Sequence, residues 1–219
     1  MDDKNDLVAL NKIAWERVAD KFAMREPIHV GAVFEFFCDN LEENARVLDA
    51  GCGTGLPFAK YLVDKGFDVL GVDIASRMVE LATKNVPGAT FREGSITELD
   101  FGNVFQGVVC SYVMLQLDPT SFKQAAARLT SALNNGGLLY MSLNEPGPEP
   151  FDVDGEVIVE IMGEVMYSRA YTRDEVLDAF RPLSMVLVKF RKKTITSKEF
   201  GKEYMMEFVF KKAKDAGKM

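Results

Sequence analysis

Asp49-Ala50-Gly51-Cys52-Gly53-Thr54-Gly55 follows the apolar run Val47-Leu48 and sets three alternate glycines beside a carboxylate. Alternate glycines let the backbone approach a ligand where a Cβ would intrude. A loop that opens a helix also turns unpaired N–H groups toward that ligand. The residue types therefore suit a nucleotide-like molecule, and the apolar strand ahead of them argues against a merely tight turn. Farther on, Val69-Leu70-Gly71-Val72-Asp73-Ile74 ends a second apolar run in an acid. A carboxylate about 20 residues past such a loop suits the two hydroxyls of a ribose. Ile74 and Met78 offer apolar surface to a base, with core packing the competing use. Glu93-Gly94-Ser95-Ile96 is placed to meet the edge of that base. The dinucleotide fingerprint G-x-G-x-x-G or G-x-G-x-x-A is the rival pattern. Its third small residue falls at position 56, which is Leu56 here, and Gly55 comes one place early.

The surrounding periodicity supplies the elements that must hold these residues. Apolar positions at Leu7, Leu10, Ile13, Ala14, Val18 and Phe22 predict an amphipathic helix over 7–22. A second helix is expected over about 29–38. Strands are expected over 46–50, 67–73, 89–93, 104–112 and 138–143. Helices between them cover 56–65, 76–84 and a stretch opened by Asp118-Pro119 that stops near Gly136-Gly137. Alternating strands and helices imply a parallel sheet covered on both faces. The end of the chain differs. A helix over 172–180 is followed by two strands, 182–193 and 204–211, with no helix between them, which predicts an antiparallel hairpin. The stretch from Glu145-Pro146-Gly147-Pro148-Glu149-Pro150 to about Arg169 reads as a rigid linker and an irregular insertion.

On these residues, from about Arg46 to Asn144, the chain resembles a class I, Rossmann-like S-adenosylmethionine-dependent methyltransferase of the small-molecule type. Asp49 to Gly55 is similar to that family's first motif. The resemblance implies a Rossmann-like, doubly wound, mostly parallel seven-stranded sheet. A C-terminal antiparallel hairpin would complete it and an N-terminal helical cap would precede it. It further implies S-adenosylmethionine as cofactor and S-adenosylhomocysteine as product. Asp49, Gly51, Cys52, Gly53 and Gly55 would then line the methionine end and the ribose, with Asp73 holding the ribose hydroxyls. Ile74, Met78, Ser95 and Ile96 would lie around the adenine. Cys110 and Ser111 would run beside the methyl group. Two positions depart from the family: Ser95 stands where an Asp often follows the glycine, and no Asp lies near Gly107. The segment Tyr167 to Glu175 resembles the lead into the family's last helix. One domain over 1–219 is implied, with a lid at 1–40, a cofactor-binding core at 41–144, a substrate-side insertion at 145–170 and a C-terminal helix and hairpin at 171–219.

Methyl transfer from a sulfonium is a direct displacement, so alignment and exclusion of water matter most and a general base is optional. His29 is the sole histidine, hence the one imidazole base. Tyr112, like Ser111, follows the fourth strand and is placed to touch the methyl group or the acceptor. Trp15 and Phe22 suit a lid. The fourth strand carries no Asn-Pro-Pro-Tyr and no Pro-Cys, which removes amino-group and cytosine C5 methylation of DNA. The expected reaction is transfer to an O or N atom of a small molecule. The alternatives are a non-catalytic S-adenosylmethionine-binding protein and a nicotinamide-dependent oxidoreductase. Glu145, Glu149, Asp152, Asp154, Glu156, Glu160 and Glu164 either attract a cationic amine or form a solvated face. Met162 and Met166 offer adaptable apolar surface among them.

The net charge of −7 weighs against general phosphate-backbone binding. From Arg181 onward, however, 11 Lys or Arg stand against 4 Asp or Glu. Protection of edge strands by lysine accounts for that bias, with a phosphate-bearing or nucleic-acid substrate as the alternative. The three scattered cysteines form neither a disulfide framework nor a metal site, and they fit a reducing compartment. The acidic N-terminus is unlike a secretory signal, and no apolar run is long enough to span a membrane. A cytoplasmic monomer or homodimer without a metal is the expectation.

Overall fold

The computed structural model of the chain describes residues 3–25, 29–147, 156–197 and 201–214. The strands are β1 (Arg46–Ala50), β2 (Asp68–Asp73), β3 (Thr90–Glu93), β4 (Phe105–Ser111), β5 (Leu133–Asn144), β6 (Glu156–Ile161), β7 (Glu164–Arg169), β8 (Met185–Ser197) and β9 (Gly201–Lys212). The helices are α1 (Asp3–Ala23), α2 (Ala32–Asp39), α3 (Phe58–Asp64), α4 (Ser76–Asn85), α5 (Pro119–Ala132) and α6 (Arg173–Phe180). Seven strands form one sheet in the order β3-β2-β1-β4-β5-β9-β8. The first five are parallel, and the β8–β9 hairpin adds to β5 antiparallel. This is the doubly wound, Rossmann-like sheet with a C-terminal antiparallel hairpin that the strand and helix pattern implied.

Adjacent strand residues bury on opposite faces. Val47, Val109 and Leu138 join Val33, Phe34 and Phe37 of α2 and Ala59 and Leu62 of α3. Leu48, Val108 and Leu139 join Phe122 and Leu129 of α5 and Val176 and Phe180 of α6. Helices on both faces explain why the strands read as unbroken apolar runs. The helix starts are locally specified. Asp118 accepts from the N–H groups of Thr120 and Ser121 at the head of α5, with Pro119 in the first turn. Thr172 and Glu175 form a capping box on α6.

Three expectations are corrected. β5 begins at Leu133, before the two glycines, and a register shift between Phe105 and Gly107 absorbs the early start. The 145–169 stretch contains a second, two-stranded sheet, β6–β7. Met162 (φ 55°) and Gly163 (φ 90°) at its turn both adopt the positive φ that a two-residue hairpin of matching twist requires. The hairpin is ordered because Val159, Ile161 and Met166 pack on Ala14, Trp15 and Val18 of α1. Finally, α2 starts at Ala32, so His29 precedes the helix and is exposed. Glu149, Asp152 and Asp154 lie outside the described residues.

Candidate functional site

Strand order reverses direction between β1 and β4, and the crevice at that point is where open α/β sheets bind ligands. A cavity of about 170 Å³ lies there. Gly51 and Gly53 form its base, Asp73, Ile74 and Met78 one side, Gly94, Ser95 and Ile96 the next, and Ser111, Tyr112 and Val113 the far wall. Val8, Asn11, Trp15 and Phe22 of α1 close the top, with Gln116 and Leu117 beside them. A wider cleft of about 730 Å³ shares Val8, Ile74, Gly94 and Ser95 and adds Lys12, Glu93, Thr97 and Gln124.

Asp73 ends β2 and organises the loop. Its Oδ2 accepts from Gly53 N at 2.8 Å and its Oδ1 from Ala75 N at 3.0 Å. Burial raises its pKa, and these N–H donors oppose the rise. Each oxygen keeps lone pairs for a ribose diol. Gly51 has φ 81°, and a Cβ there would lie 2.1 Å from Val113, so only glycine lets the loop meet the end of β4. Gly53 faces Phe22 of α1, 3.9 Å from the position of a Cβ. A carboxylate, a glycine loop without side chains, and apolar walls at Ile74, Met78 and Ile96 fit an adenosine with its attached amino acid.

Other expected residues serve this cavity without lining it. Asp49 is 2% exposed. Its carboxyl is pushed up to about 7, first by burial and then by the charge of Asp73, against a hydrogen bond from the Ala59 backbone. Cys52 packs under the loop close to Gly71, and Cys110 belongs to the core beneath the sheet. Gly55 is needed for packing, since a Cβ there would meet Val86 and Ala82 of α4 at 3.0 and 3.4 Å. A Cβ at Gly107 would meet Phe37 and Leu41, so that position faces α2 rather than the cavity. His29 does not line it. Among the described acids of the insertion, Glu145 pairs with Lys192 and Glu164 with Arg17, and none lines the cavity.

Tyr112 adopts φ 58°, and its hydroxyl donates to the sulfur of Met205. Burial, then Glu203 and Glu207, push its phenol pKa up. Sequence reasoning missed Val8, Asn11, Val113, Gln116 and Leu117. Asn11 holds both Gln116 O and Tyr167 O at 3.0 Å and accepts from Tyr167 N at 2.8 Å. Trp15 Nε1 donates to Gln116 Oε1. A buried asparagine on the apolar face of α1 was the available signal.

Residues 47–137 match the family model of a methyltransferase domain. An uncharacterized methyltransferase of Alkaliphilus oremlandii is 26% identical over 144 residues, 65% of this chain and 63% of that protein. A ubiquinone biosynthesis O-methyltransferase of Paracidovorax citrulli is 32% identical over 108 residues, 46% of this chain and 44% of that protein. The matched part of the chain thus spans 44–63% of the length of these curated relatives. A crystal structure of a SAM-dependent methyltransferase from Methanosarcina mazei superposes with a TM-score of 0.77 at 19% identity, covering 86% of this chain and 100% of that one. The 1,6-didemethyltoxoflavin-N1-methyltransferase of Burkholderia thailandensis, solved with 1,6-didemethyltoxoflavin and S-adenosylhomocysteine bound, superposes at 0.70 with 18% identity, covering 96% and 90%. At these identities the structures establish the fold.

Proposed function

We infer that this chain, which carries a methyltransferase domain on the class I S-adenosylmethionine-dependent fold, transfers a methyl group from S-adenosylmethionine to an O or N atom of a small molecule. The observation that carries the reading is Asp73, held by Gly53 N and Ala75 N at the wall of a cavity based on Gly51 and Gly53. When bound, S-adenosylmethionine supplies an electrophilic methyl on a positively charged sulfur. The residues of the chain then have to orient and enclose. Asp73 holds the ribose. Ile74, Met78 and Ile96 enclose the adenine, with Ser95 at its edge. Trp15 and Phe22 cover the loop and exclude water. Ser111 and Tyr112 form the wall where the acceptor approaches.

A small acceptor is favoured by the closed top of the site. α1 lies across the cavity and is fixed on both sides, to α4 and to the β6–β7 hairpin, leaving space of metabolite size rather than an open groove. The similarity to an enzyme solved with a small heterocycle points the same way. Calorimetry with S-adenosylmethionine, S-adenosylhomocysteine and NAD tests the cofactor: binding of the first two is expected, and binding of NAD alone would overturn the reading. Release of S-adenosylhomocysteine on adding phenols and amines separates an enzyme from a binding protein.

A further inference from the structure

Glu207 stands on β9, opposite Ser142 of β5 and next to the edge strand β8. It is 1% exposed, and among the described residues its Oε2 has no hydrogen-bond partner. Its other oxygen, Oε1, accepts from Tyr140 Oη at 3.0 Å, with Lys193 Nζ of β8 at 3.5 Å. Tyr140 and Ser142 stand two residues apart on β5 and so share a face, and Ser142 acts to lower the Tyr140 phenol pKa against the larger rise from burial and Glu207. Ser142 Oγ lies 2.7 Å from Ser111 Oγ, and Ser111 lines the cofactor cavity. Four side chains on one face of β4, β5 and β9 thus lie in sequence from the cavity wall to a buried carboxylate.

The chemistry of the groups fixes the direction of the line. A carboxylate has no proton to give, so Tyr140 donates to Glu207. Tyr140 has one hydroxyl proton, so Ser142 donates to Tyr140. By the same count Ser111 donates to Ser142. The lone pairs of Ser111 Oγ are left for the cavity. We propose that Ser111, Ser142, Tyr140 and Glu207 form a relay that carries the proton lost by the methyl acceptor away from the reaction centre. The proposal rests on the methyltransferase reading above. As the acceptor heteroatom bonds to the methyl carbon and the carbon–sulfur bond breaks, its proton passes to Ser111 Oγ. The Ser111 proton moves to Ser142, that of Ser142 to Tyr140, and that of Tyr140 to Glu207 Oε1, which becomes a neutral carboxyl. No water and no histidine is required. The charged group beside Glu207 is Lys193 on β8, with Tyr140 and Tyr112 as the phenols it acts on; Glu203, on the same strand, also acts on Tyr112. Glu207 acts through Ser111 and is a positioning residue.

The test uses the full chain with 13C-labelled glutamate carboxyl groups and infrared difference spectroscopy. The Glu207 band is the one lost in Glu207→Gln. Titration with S-adenosylhomocysteine, which fills the cavity that Ser111 lines, is expected to shift that band. The shift is expected to vanish in Ser142→Ala, which cuts the line at its middle. A band that does not move in the wild type, or moves equally in Ser142→Ala, overturns the relay. Failure of S-adenosylhomocysteine to bind overturns the proposed function instead. With catechol and tyramine as acceptors, Tyr140→Phe and Glu207→Gln are each expected to lower kcat by about a hundredfold at unchanged KM for S-adenosylmethionine. Unchanged kcat in either variant overturns the relay. If neither probe is methylated, the proposed acceptor class falls and the band shift alone decides the relay.

Discussion

Asp49 and Asp73 sit on neighbouring parallel strands, both buried, and Asp49 is raised to about 7 by burial and by the charge of Asp73. Unfolded, Asp49 titrates at 3.8. The folded chain therefore binds more protons between about pH 4 and pH 7, and stability contributed by this group is lost as pH rises through that window. The displacement corresponds to about 4 kcal/mol as an upper figure. Urea unfolding of the ligand-free protein at pH 5 and pH 8 should show this loss, and Asp49→Asn should flatten it. The cofactor brings positive charge beside the pair and favours ionised Asp49. Binding of S-adenosylmethionine below pH 7 should therefore release protons, measured by calorimetry in buffers of different ionisation enthalpy. Asp49→Asn should abolish the release. Asp73 is a more direct test. Asp73→Ala removes the hold on Gly53 and, on the proposed function, the charged acceptor for the ribose. A loss of about 2–3 kcal/mol, roughly a hundredfold in Kd, is expected by calorimetry, with unchanged circular dichroism as the folding control. Both acids were legible, because an acid at a strand end beside a glycine loop has few other uses. Glu207 was not legible: its place is set by pairing with Ser142, 65 positions away along the chain, and nothing local marks it.

At the scale of elements, α1 is the part whose attachment governs the site. Ala75 at the head of α4 makes no side-chain cap. Glu16 of α1 supplies one instead, accepting from Ser76 Oγ at 2.9 Å and from Arg77 N at 3.2 Å. Arg77 also pairs with Asp20, and Lys12 with Glu93. A cap is worth about 1 kcal/mol, whereas each exposed ion pair contributes about 0–1 kcal/mol and weakens with salt. Glu16→Gln should speed dissociation of S-adenosylhomocysteine about fivefold in stopped-flow measurements. Added salt should speed it further in the wild type by screening the Lys12 and Asp20 pairs. A dissociation rate unaffected by either change would mean that α1 does not gate the cavity. The amphipathic pattern of α1 was readable from Leu7 to Phe22. Its partner hairpin was not. Val157 to Ile161 and Val165 to Tyr167 alternate weakly, and the turn is Met162-Gly163 rather than the Asn-Gly pair that marks such turns. Packing on Ala14, Trp15 and Val18 supplies what local propensity lacks.

At the scale of the whole molecule, ligand binding and folding are linked. S-adenosylhomocysteine at a hundred times its Kd should stabilise the chain by about 2.7 kcal/mol. For a domain of this size that raises Tm by about 5–10 °C in scanning calorimetry. NAD at the same concentration should leave Tm unchanged. The uneven charge also has a structural place. β8 is one of the two edge strands of the seven-stranded sheet, and Lys189, Arg191, Lys192 and Lys193 lie along it. Charged edges resist pairing with other chains, as the composition implied.

The sequence by itself determined the sheet, the glycine loop and the acid that follows it, because each rests on short-range rules. Buried parallel strands must be apolar throughout, a close loop at positive φ must be glycine, and the acid needs only to follow its strand. Tertiary structure decided what lies opposite them. Of the glycines, Gly51 meets Val113 and Gly53 faces Phe22, whereas Gly55 packs on α4. α1 is fixed across the cavity through Asn11, Glu16 and the β6–β7 hairpin. The line from Ser111 to Glu207 joins three strands through side chains that share one face of the sheet. Contacts between distant segments follow from register and packing, and these are properties of the folded chain rather than of any stretch of it.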